Sequence, residues 1–135
     1  MSKVLRARGD HVVLMFEHGS VVNTDTTFKM FKAPRAMVIE KVDYHNVTGL
    51  AENASNYVTV SLRKASTDMT VPYTTNSAGP NSPDAIPADT HLDLAMSATP
   101  ANRKLAEGDV LSLFVDCTGT VTLPAGRVAV TARYV

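Results

Sequence analysis

The sequence predicts an all-β fold, an antiparallel, jelly-roll-like β-sandwich of about eight short strands, and three observations carry that prediction. Apolar and polar residues alternate with period two along most of the chain. Stripes of period 3.6 long enough for a helix are nearly absent, and glycines stand between the alternating runs. With 135 residues, 44% of them hydrophobic and 19% charged, the chain has the length and composition of one packed domain.

In chain order, residues 11–16 form a weak first strand. Thr26–Lys32 is the second, with Phe28 and Phe31 assigned to the core and Lys29 and Lys32 to solvent. Met37–Asn46 is the clearest. It sets Met37, Ile39, Lys41, Asp43 and His45 against Val38, Glu40, Val42 and Tyr44; neither face is cleanly apolar, which places one end at a sheet rim. Tyr57–Lys64 reads as half-buried, with Val58, Val60 and Leu62 alternating against Tyr57, Thr59, Ser61 and Arg63. Residues 91–97 share one face through Leu92, Leu94 and Met96. Residues 110–117 place Leu111, Leu113 and Val115 inward, 120–123 is a weak strand, and 127–135 alternates strictly through Val128, Val130, Ala132 and Tyr134.

Gly19, Gly49, Gly108, Gly119 and Gly126 fall between these strands, where glycine supplies the positive φ of a turn. Pro34 and Pro124 stand at strand approaches. The longest irregular region, 70–89, holds Pro72, Tyr73, Pro80, Pro83 and Pro87 and reads as a Pro-rich loop inside a single domain spanning 11–135. Residues 1–10 read as a basic N-terminal arm, in which Lys3, Arg6 and Arg8 are opposed only by Asp10.

Thirteen basic and thirteen acidic residues cancel, so no global field gathers nucleic acid or an anionic membrane. Cys117 is the only cysteine, so no internal disulfide forms and stability rests on packing or association. No apolar run approaches the length of a membrane span.

The motifs of reactive chemistry are missing. There is no G-x-S-x-G elbow, no G-x-x-x-x-G-K-[ST] loop and no G-x-G-x-x-G loop, and Cys117 reads as a half-buried, inert thiol. Asp43 and His45 share a strand face, as do Asp89, His91 and Asp93. A divalent ion could sit among them only if the two strands were adjacent, and without an H-x-H or H-E-x-x-H pattern ordinary hydrogen bonding is the expected role. Arg8-Gly9-Asp10 is too short a match to an integrin-binding tripeptide to carry meaning. With no Trp and 6% aromatic residues, a stacking platform for bases is not expected either. The expectation is therefore a non-enzymatic module with no cofactor and no metal.

Two segments carry a resemblance. Phe31-Lys32-Ala33-Pro34-Arg35-Ala36-Met37-Val38-Ile39-Glu40-Lys41-Val42, continuing through Asn46-Val47-Thr48-Gly49-Leu50-Ala51, is followed by Asn56-Tyr57-Val58-Thr59-Val60-Ser61-Leu62. Together they resemble the N-terminal half of small head decoration, or cement, proteins of tailed bacteriophages. The later Leu105-Ala106-Glu107-Gly108-Asp109-Val110-Leu111-Ser112-Leu113 has a cadence common to jelly rolls of many functions. The resemblance implies a virion protein that binds the outside of the expanded capsid through the major capsid protein. It also implies a dimer or trimer, made in the host cytoplasm, that touches neither nucleic acid nor membrane. For such a protein, position and composition, not the resemblance, single out Lys3, Arg6 and Arg8 in the arm and Pro72, Tyr73, Pro80, Pro83 and Pro87 in the loop as the expected contact residues. A head-fibre, tail-fibre or baseplate module and a non-viral ligand-binding jelly roll are the alternatives.

Overall fold

A computed structural model describes residues 2–8, 11–78 and 85–135. Their strands are β1 (Ser2–Arg8), β2 (His11–His18), β3 (Val21–Val22), β4 (Thr26–Lys32), β5 (Met37–Asn46), β6 (Tyr57–Lys64) and β7 (Thr67–Asp68). They continue with β8 (Tyr73–Thr74), β9 (Thr90–Leu94), β10 (Lys104–Leu105), β11 (Val110–Thr118), β12 (Thr122–Leu123) and β13 (Gly126–Tyr134). A 3-10 turn, Pro100–Arg103, precedes β10. The strands outnumber the roughly eight expected because β3, β7, β8 and β10 are two-residue pieces too short to show alternation and β1 falls within the residues expected as an arm.

All pairings are antiparallel. One sheet runs β1-β2-β13-β5-β10, with β9 also on β5; the other runs β4-β11-β6-β7, with β8 also on β6. From β2 onward the long strands alternate between the sheets, so β2, β5 and β13 lie in one while β4, β6 and β11 lie in the other. This is the jelly-roll-like order expected.

The core lies between them. Val12, Leu14, Phe16, Val128 and Val130 face Val58, Val60, Leu62, Leu111, Leu113 and Val115, all buried. Burying one such Leu or Val contributes about 1.5–3 kcal/mol.

The mixed faces expected at 37–46 have a different cause from a sheet rim. Thr131 of β13 pairs with Lys41 and the next residue, Ala132, pairs with Ile39, leaving Glu40 as a bulge. Met37 and Ile39 point inward before it, and Val42, Tyr44 and Asn46 point inward after it. Both halves of β5 therefore feed the core, each in its own phase.

Two further expectations change. Residues 2–8 are not a free arm in this structure: they form β1 and pair with β2 from Ser2 opposite Phe16 to Arg8 opposite His11. The region 70–89 is tied down at both ends. Tyr73 and Thr74 pair with β6, buried Thr75 bonds to the backbone of Val58, and Ile86 pairs with Leu50 and is buried. Pro80 and Pro83 lie outside the described residues.

Candidate interaction surface

The two long flanks of the sandwich differ. Phe16 of β2 and Phe28 of β4 meet with ring centroids 6.2 Å apart, so β2 lies over β4 and the edges β1 and β4 share one flank. Neither edge has a second strand partner among the described residues. The opposite flank is covered by β7 and β8 in one sheet and by β9 and β10 in the other. It is also crossed by the Thr70–Met96 bridge and by a hydrogen bond of 2.6 Å from the Lys64 ammonium to the Lys104 carbonyl.

This arrangement separates the residues expected to act together. Lys3, Arg6 and Arg8 belong to β1 on the open flank, whereas Tyr73 belongs to β8 on the covered one. Tyr73 packs against the core and its hydroxyl donates to the Ala85 carbonyl; Pro72 is half-buried beside it and Pro87 is exposed.

On β4, Phe28 and Phe31 turn to the core while Lys29 and Lys32 are exposed, and no described residue forms an ion pair with either lysine. A bulge at Met30 aligns the two lysines. Lys32 pairs with Val110 and Lys29 with Ser112, positions two apart on β11 and so on one face of the sheet. In a regular strand, positions three apart such as 29 and 32 would point to opposite faces.

A buried polar network occupies one end of the sandwich. The Nδ1–H of His18 donates to the Gly19 carbonyl at 2.8 Å, which fixes the tautomer because a carbonyl only accepts. Nε2 then accepts from the Tyr44 hydroxyl at 2.7 Å. Asn46 donates to that hydroxyl at 3.3 Å and to the Pro124 carbonyl at 2.7 Å, and accepts from the Gly49 amide at 2.8 Å. Burial holds the His18 imidazolium pKa below its ordinary value, against the raising effect of the Gly19 bond. Burial also pushes the Tyr44 phenol up to about 12. Gly126 is required here for space, not for a positive φ. A Cβ would stand 2.8 Å from both His18 Nε2 and the Tyr44 hydroxyl and 2.9 Å from the His45 carbonyl. Above the network, Glu17, His45, Val47 and Arg127 help to line a cleft of about 290 Å³.

Sequence reasoning misses this network because the strand read over 11–16 stops at Phe16, two residues short of His18. The inward series Val12, Leu14, Phe16 continues to His18 and was the available signal.

The strands that carry the other His and Asp residues are adjacent. His45 pairs with His91 and Asp43 with Asp93 across β5 and β9. The His45 and His91 rings lie 5.0 Å apart; His45 Nε2 donates to Asp89 at 2.9 Å, and His91 Nδ1 lies 3.7 Å from Asp43. No three His, Cys, Asp or Glu side chains among the described residues converge as a metal site would require.

Cys117 is half-buried, and its amide donates to Asp25 at 2.8 Å. Burial first, and then the charges of Asp25 and Asp116, push its thiol pKa up, away from the thiolate that a nucleophile needs. The Asp116 carboxyl is also pushed up, by burial and by Asp25. A further cleft of about 490 Å³ is lined mainly by apolar residues, including Met37, Leu105 and Val135, together with Lys64 and Lys104.

No protein-family model, curated protein or solved structure matches this chain.

Proposed function

We propose that this chain is a structural module of a tailed-phage particle that binds the outside of the capsid, through the major capsid protein, and stabilises the expanded head. The observation that carries the proposal is the resemblance of residues 31–62 to head decoration proteins. Those residues supply the end of β4, the whole of β5 and most of β6, so the likeness falls on a long strand from each sheet and on the framework of the sandwich.

The fate of the polar side chains supports a binding role over a reactive one. His18 is spent in a closed structural network, and Cys117 is held as a thiol. His45 and His91 pair with single carboxylates on a sheet surface. Mechanically, a rigid sandwich lying across the seam between capsomers makes their separation cost its own binding free energy. Many copies, each a dimer or trimer bridging neighbours, multiply the effect.

The test is co-sedimentation of the purified protein with immature and expanded phage heads. The expected result is saturable binding to expanded heads. Absence of binding to both forms would contradict the proposal.

A further inference from the structure

We propose that the free edge of β4 is a docking site for an extended acidic segment of a partner protein, which adds to the sheet as a strand and pairs alternate carboxylates with Lys29 and Lys32. The proposal deepens the capsid-binding one and rests on it only for the source of the segment.

Three features of the edge specify that partner. The first is backbone: an edge strand offers a row of amides and carbonyls to an incoming chain, and β4 has no strand on its outer side among the described residues. The second is the spacing of charge. The Met30 bulge puts Lys29 and Lys32 on one face at positions two residues apart on the neighbouring strand, roughly 7 Å at strand rise. Side chains on one face of an added strand repeat at the same interval, so carboxylates at positions i and i+2 meet both ammonium groups. The third is the sign of that charge. β4 contains no acidic residue and carries Lys29 and Lys32, both exposed, although the whole chain is formally neutral.

The same features argue against other occupants. Pairing β4 with β4 of a second copy would bring lysines against lysines, which is unfavourable across a sheet. Single-stranded nucleic acid would want exposed rings for stacking, but Phe28 and Phe31 face the core.

The probe is a fluorescein-labelled octapeptide of alternating Glu and Val, with alternating Lys and Val and an oligothymidylate as controls. Binding is followed by anisotropy at low salt and by amide hydrogen exchange. The expected result is saturable binding of the acidic peptide alone and slowed exchange of β4 amides. The K29E/K32E variant, whose melt should match the parent because both positions are exposed, should lose affinity by at least about tenfold and accept the Lys peptide instead.

No saturable binding, protection centred elsewhere, unchanged affinity in the variant, or Lys29- and Lys32-dependent binding of the oligonucleotide would each overturn the β4 site. Particles separate the two proposals. If parent and K29E/K32E occupy expanded heads equally, decoration stands and the β4 site falls. If the parent ignores heads yet the peptide results hold, the β4 site stands and decoration falls.

Discussion

Tyr44 both donates and accepts within one closed chain of hydrogen bonds, and that chain ties together the backbone after β2, the turn after β5 and the approach to β13. Removing its hydroxyl leaves His18 Nε2 and one Asn46 donor without partners in a buried site. Tyr44→Phe should therefore cost about 1–3 kcal/mol, read as a shift of the urea midpoint at constant slope. An unchanged midpoint would show that the network is idle. His18 sets the acid response. Its folded pKa lies below the ordinary 6.5, so the unfolded chain takes the proton first and stability falls as pH drops below that value. Protonation would put an N–H against the Tyr44 hydroxyl, whose own proton would then lack its acceptor. The melting midpoint should decline from about pH 6.5 downward, and His18→Gln should flatten that part of the profile while lowering stability at neutral pH.

At the scale of single strands, two bulges do what alternation alone cannot. Glu40 in β5 resets the inward phase, and Met30 in β4 brings two lysines to one face. Deleting Glu40 removes the extra residue, so that Ile39 and Val42 fall two apart in a regular ladder with Met37 and Ile39 still inward; the cost should stay below the about 3–6 kcal/mol that turning both outward would bring. Glu40→Ala removes only surface contacts to His11 and Arg133 and should cost under about 1 kcal/mol. A loss as large as about 3–6 kcal/mol on deleting Glu40, measured by denaturant titration, would contradict the phase-reset role.

The same two bulges mark the boundary of what period-two reasoning can reach. Tyr57–Lys64 and 127–135 could be read correctly, down to the inward Val58, Val60, Leu62, Val128 and Val130, because each alternates without interruption. Met37–Asn46 reads as a strand, but alternation alone does not assign its faces, since the bulge is defined by pairing with β13, just over ninety positions later. The adjacency of β5 and β9, which brings His45 to His91, and the placement of β1 and β4 on one flank are likewise properties of topology. No local pattern in the chain encodes them.

Over the whole molecule, the asymmetry between a covered flank and an open one, with Lys29 and Lys32 exposed on β4, organises the functional proposals. Residues 1–10, expected as an arm, contribute β1 to the open flank, and their removal should therefore do more than weaken binding. A chain lacking residues 1–8 would expose the edge of β2, with half-buried Val13 and Met15 close to it. It should melt lower and associate more readily than the parent. Scanning calorimetry with light scattering would check both effects, and a variant whose melt and association state match the parent's would restore the free-arm description.

The central claim is that this sandwich reinforces an assembled shell, and the most direct measurement of it is the temperature at which expanded, DNA-filled phage heads release their DNA, with and without saturating protein. Reinforcement predicts a release temperature that rises with occupancy and levels off when the sites are full. A release temperature unchanged at full occupancy would contradict it.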